Sequence, residues 1–271
     1  MTNATVVLAA HSLRRIRWLV GGIGVLLAGF QFLLTQVAEY LFRRSAFGQL
    51  SALVPDFVRT AAGPSTLAFM SFTGIVAFGY FHPIVLGSLV GLIIAIATEP
   101  AAEVETRFVD LTLARRLTRA SAVTRTVLVA LVAGSVVIGL MMAGTWTGLA
   151  CCTAGDAPRP SAGLIGSLAL SLGSVLVCWG GVALALAAGA RRRATAGGTA
   201  GALALAAYLL DYLGRAWEPA RAISIISPFH YFEPAALVAG QSLSASNLAV
   251  LAGIGAIATA VAYVLFARRD I

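Results

Sequence analysis

The chain has 271 residues, 59% of them hydrophobic and 11% charged, with a mean hydropathy of +0.90. A soluble domain carries about 25% charged residues, so one aqueous core cannot hide this much apolar surface, and a soluble enzyme or binding domain is excluded. The net charge of +8 sits in short clusters between apolar runs, as membrane-orientation signals do and nucleic-acid surfaces do not; all 19 basic residues are arginine, so the chain has no Walker A lysine and is no P-loop ATPase by itself.

In chain order, Arg14, Arg15 and Arg17 precede an apolar run from Trp18 to Ala38. At about 21 residues this exceeds a signal-peptide core, and it is read as a retained first span with a cytoplasmic basic flank. Gln31 and Thr35 lie one turn apart and are expected to face other helices. Glu39 to Pro64 carries Arg43, Arg44, Asp56 and Arg59 and reads as an external loop or a helix in the outer interface. Residues 65–98 are apolar over a length too great for one perpendicular helix and are interrupted at His82-Pro83. Basic clusters on both sides of the pair of runs belong on the same face, so an even number of crossings separates them. The 65–98 stretch is therefore expected to cross once, with Ser65 to Phe81 as an outer, tilted or partly re-entrant half.

Glu103 to Arg119, EVETRFVDLTLARRLTR, is the longest densely charged run. At helical period Val104, Phe108 and Leu111 adjoin Val109, Leu113 and Leu117, with Arg107, Asp110, Arg115 and Arg119 around the remaining circumference. This predicts an amphipathic helix along the cytoplasmic surface, acting either as a coupling element or as a topology signal and interfacial anchor. Further spans follow at about 126–150, 164–190, 197–213 and 247–266, and CCTAGDAPRP forms the turn between the third and fourth. Both termini are then cytoplasmic, with 13 arginines inside and six outside. The whole of 1–271 reads as one transmembrane domain: an all-α polytopic protein with six transmembrane helices, a cytoplasmic amphipathic coupling helix and an outer re-entrant segment before the last span.

One stretch outside the regular spans and one acid within them carry further candidate chemistry. Ile223 to Gly240, ISIISPFHYFEPAALVAG, mixes the breakers Pro228 and Pro234 with aromatics. It reads as an aromatic interfacial belt or as a re-entrant outer gate made by Ser227, Pro228, Phe229, His230, Tyr231 and Glu233. Asp211 lies near the outer end of the fifth span, a functional intramembrane acid or an interfacial carboxylate paired with Arg215 one turn on. Cys151, Cys152 and Cys178 read as small buried side chains, with a strained disulfide or a soft-metal contact as the alternative for the adjacent pair Cys151 and Cys152. His11, His82 and His230 have no metal-ligand spacing, so no metal site is expected.

EVETRFVDLTLARRLTR resembles the cytoplasmic motif of ABC type-2 exporter permeases, approximately E-x-E-x-G-T-x-x-x-L-L-A-x-P-x-S-R. Glu103, Glu105, Leu113, Ala114 and Arg119 match it, and Asp110 and Leu111 match a common variant. SPFHYFEP and the closing FARRDI are similar to the end of that family. The chain departs from the pattern at Arg107 and Phe108, where the family often has Gly-Thr, and at Arg116, where it has proline.

The resemblance implies a permease protomer without a catalytic site of its own. It would dimerise, as a homodimer in preference to a heterodimer with a paralogue, and be driven by a separate ABC ATP-binding subunit that holds ATP and magnesium. Glu103, Glu105, Arg107, Asp110, Arg115, Arg116 and Arg119 would then form the coupling interface. Small residues such as Gly21, Gly24, Ala28, Gly197 and Gly201 would serve the protomer contact. A non-transporting membrane protein, such as an immunity or assembly factor, and an intramembrane enzyme are the readings from other classes.

Overall fold

Side-chain caps fix where several helices begin. Ser71, Thr118 and Ser161 each sit in extended backbone and accept from the amide three residues on, at 3.0, 3.3 and 3.1 Å, satisfying donors that the first helical turn leaves open. A computed structural model describes residues 3–45, 47, 70–106, 118–153, 155 and 157–268. Its helices are α1 (Asn3–Arg43), α2 (Phe72–Phe78), α3 (Pro83–Ala97), α4 (Glu99–Glu105), α5 (Arg119–Cys152), α6 (Ala162–Gly189), α7 (Arg193–Ala216), α8 (Glu218–Ser224), α9 (Pro234–Val238) and α10 (Ala245–Arg268), with a 3-10 turn at Pro228–Tyr231. Six stretches among them are long and apolar enough to cross a membrane: α1, α2 through α4, α5, α6, α7 and α10. The chain is an all-helical, multi-pass membrane protein, with no strand among the described residues.

The first helix is much longer than the apolar run that announces it. It includes the Arg14, Arg15 and Arg17 cluster and continues through Glu39 to Arg43, because residues 3–43 contain no proline and their polar positions are compatible with a helix. At 41 residues it is about 60 Å long, twice the hydrocarbon thickness. Gln31 and Thr35 are fully buried, as their spacing predicts.

The 72–105 stretch is broken twice by proline. Pro83 opens α3 after His82, whose Nδ1 accepts from the Ile84 amide, and Pro100 lies in the first turn of α4 after the kink at Thr98. Thr73 at its start bonds to the Pro158 carbonyl, whereas Glu99 near its end meets Arg15 and Arg193. Phe72 and Glu99 thus lie at opposite ends of the bundle.

Close helix crossings rest on glycine. A Cβ on Gly144 would collide with the backbone of Ala28, and one on Gly148 with the Thr35 side chain, which sets the tight α1–α5 seam. Gly181 and Gly255 bring α6 and α10 together in the same way, each facing backbone of the other helix. On the outer surface α1 and α7 expose rows of large apolar side chains, including Val25, Leu26, Leu33, Leu205, Leu209 and Leu213.

Candidate functional site

At one end of the bundle, arginines from three sequence clusters converge on glutamates or on helix C-termini. Glu99 takes Arg15 of α1 at 3.2 Å and Arg193 of α7 at 3.5 Å, bridging two helices that are distant in sequence. Arg193 also donates to the Ala95 carbonyl at 2.9 Å, placing a cation at the C-terminal end of α3, and Arg119 does the same for α10 through Ala267 at 3.0 Å. Glu105 Oε2 accepts from the Arg193 backbone amide at 2.9 Å, so α4 supplies the acceptor for the start of α7 that Arg192 does not. Glu103 and Arg125 form a 2.6 Å pair in which both side chains are over 90% buried.

These positions correct the expected course of residues 103–119. Helix α4 ends at Glu105 with a turn at Thr106, and Arg119 is the first residue of α5, so Glu103, Glu105 and Arg119 do not share one amphipathic helix. Glu103, expected in the coupling interface, is instead buried in the bundle, where Arg125 neutralises it. Glu105 is exposed. Arg107, Asp110, Arg115 and Arg116 lie outside the described residues, as do 48–69, including Ser65 and most of the segment expected to be re-entrant.

The opposite end gathers two candidates that are far apart in sequence. Asp211 is buried on α7 and accepts from Arg215 at 2.8 Å, one turn on, the pairing its spacing predicts. Its other oxygen lies 3.9 Å from His230 Nδ1, which is 3.5 Å from Ser224 Oγ. Arg215 reaches across to the Phe232 carbonyl at 3.3 Å. Together with Glu218, Arg221 and Glu233 these groups line an open polar basin of about 490 Å³.

The expected gate residues divide by role. Ser227 caps the 3-10 turn, accepting from the Phe229 amide while donating to the Ala207 carbonyl at 2.7 Å, and Pro228 opens that turn. Phe229 is buried, stacked on Trp179 at 5.6 Å and edge-on to Tyr208. Phe232 is buried too, so these two aromatics pack the bundle and are not part of an exposed interfacial belt. His230 faces the basin with Tyr231 edge-on beside it, and Glu233 is exposed and takes Asn247 Nδ2 at 2.9 Å.

Residue patterning alone did not single out Glu99, Arg15, Arg125 or Arg193 as partners. Glu99 closes an apolar stretch, and the three arginines read as orientation charges. The available signal was the i, i+4 spacing of Glu99 and Glu103 on a segment opened by Pro100. The three cysteines are free; Cys178 is buried as expected, whereas Cys151 is exposed and Cys152 only partly buried, and among the described residues no group of three or more histidines, cysteines or carboxylates is placed to hold a metal. No family model, curated protein or solved structure matches the chain.

Proposed function

We propose that the chain is the transmembrane permease subunit of an ATP-driven exporter of the ABC type-2 class, paired with a second protomer and with a separate ATP-binding subunit at its arginine-rich end. The observation that carries the reading is the ion-pair lattice of α4. Through Glu99, Glu103 and Glu105 this seven-residue helix is tied to α1, α5 and α7 at once. A displacement applied to the connector between Glu105 and Arg119 would therefore reach several spans together. Networks of ion pairs that join several helices are one physical route by which coupling from a partner can enter a bundle. In this reading the arginine-rich end is cytoplasmic, both termini lie there, and the Asp211–His230 basin is on the outer side next to the gate formed by the 3-10 turn.

Energy must come from elsewhere, since a chain without lysine has no P-loop lysine. The test is affinity purification of the full chain from its native membrane in mild detergent. A nucleotide-binding protein with a P-loop should copurify in stoichiometric amount. Purification of the chain alone or only with non-nucleotide-binding proteins, under conditions that preserve its fold, would favour the immunity or assembly reading.

A further inference from the structure

A second cavity runs along the bundle where α5, α6 and α10 diverge, floored by Ile93 and Ala97 of α3. It encloses about 410 Å³ and is open along one side. On α6 it extends from Leu170 to Leu184, about 21 Å at the helical rise, longer than the roughly 15 Å of hydrocarbon in one leaflet. Its walls are mostly hydrocarbon, and three of its four hydroxyls are turned to the backbone, Ser135 at the exposed lip being the fourth. Thr126 donates to the Ala122 carbonyl at 3.1 Å, Ser174 to Ser171 at 2.7 Å and Thr259 to Gly255 at 2.7 Å, which leaves these three hydroxyls no donor for a ligand.

One end of the groove is different. Leu248 lines both the groove and a small polar cavity bounded by Ser171, Glu233, Gln241, Ser244 and Asn247. Glu233 is the only ionised group among the described residues lining that mouth, and no arginine or histidine accompanies it there. The mouth offers carboxylate and amide acceptors without a cation. Glu233 also borders the basin that Arg215, Arg221 and His230 line, but within the mouth itself an anionic headgroup would meet the carboxylate with no cation beside it, whereas one with hydroxyls or an amine would find acceptors.

We infer that the groove and its mouth form a binding site for a single-chain amphiphile, the tail lying between α5, α6 and α10 and a hydroxyl- or amine-bearing headgroup held at Glu233, Asn247 and Gln241. A helix of a second copy is the competing occupant. With a diameter of about 10 Å, such a helix over 21 Å takes up on the order of 1,600 Å³, so it would rest on the rim without filling the groove. As an export substrate the amphiphile rests on the permease reading; as a ligand it rests on the groove alone.

The test uses the full chain in phosphatidylcholine nanodiscs without any ATPase, and a 16-carbon monoacylglycerol carrying a mid-chain diazirine. Photolabel should map to residues lining the groove and be competed by unlabelled monopalmitoylglycerol but not by palmitate. Gly173→Leu should reduce labelling at least tenfold: its Cβ would meet Ile138 at 3.8 Å, an ordinary contact, so the side chain fits and fills the space. Should that variant fold poorly, Ser135→Phe at the exposed lip tests the same block. Glu233→Arg should reverse the competition in favour of palmitate. Label spread evenly over α1 and α7, or labelling unchanged in the blocked variants, would overturn the site. These outcomes are independent of ATPase copurification, so loss of this site leaves the permease reading standing, and the reverse also holds.

Discussion

Glu103 and Arg125 illustrate how much depends on a single pair. Both side chains have left water, and Glu103 Oε2 has no hydrogen-bond partner, so the carboxylate relies on one guanidinium 2.6 Å away. Removing either partner leaves a buried, uncompensated charge. Glu103→Ala or Arg125→Ala should each destabilise the chain by about 3–5 kcal/mol, read from thermal unfolding in detergent. The double replacement Glu103→Leu with Arg125→Met should recover most of that loss. Equal losses in the single and double variants would mean the pair is not what holds these helices. The exposed Arg15–Glu99 contact is of another kind: solvent and salt screen it, and Arg15→Ala should change stability by less than about 1 kcal/mol. Phe229 is the corresponding apolar anchor at the other end. Phe229→Ala should cost about 3–5 kcal/mol by opening a cavity against Trp179, measured in the same unfolding assay.

At the scale of the helices, the crossing glycines and the surface glycines predict opposite outcomes. Gly181→Leu drives a side chain into the Gly255 backbone, which cannot yield as a side-chain tip would, and should cost at least about 2–3 kcal/mol. Gly201→Leu meets nothing within 4 Å and should leave the protomer's stability within about 0.5 kcal/mol. If α7 is the protomer contact, Gly201→Leu should still weaken dimerisation, seen by cross-linking in native membranes. By residue size alone, Gly24 and Ala28 read as contacts of the same kind as Gly21, Gly197 and Gly201. Gly24 in fact faces Leu140 and Ala28 faces Gly144, inside the same chain, a distinction that composition cannot make.

Apolar runs and turn chemistry made the six spans legible, along with the break at His82-Pro83 and the Asp211–Arg215 pair. They could not show that α1 continues for some 15 residues through its arginine cluster, because hydropathy reports where lipid begins and not where helical hydrogen bonding stops. The Asp211–His230 approach and the Glu99 bridges join residues 19 to 94 positions apart, set by packing.

For the molecule as a whole, the arginine clusters define one end and the polar basin the other. Their arrangement predicts that cysteines introduced at positions 105 and 192 are labelled only from the cytoplasm, whereas one at Glu218 is labelled from outside intact cells. External labelling at 105 would reverse the orientation. The permease reading meets its most direct test in ATP hydrolysis by the chain in lipid, alone and with its copurified P-loop partner. Glu105→Gln keeps an acceptor for the Arg193 amide, whereas Glu105→Arg removes it and sets a cation at the start of α7. The account predicts no hydrolysis by the chain alone, substrate-stimulated hydrolysis by the complex, retention of that stimulation in Glu105→Gln and its loss in Glu105→Arg with the complex still assembled. Stimulation that is the same in both variants, or hydrolysis by the partner that ignores the chain's presence, would contradict it.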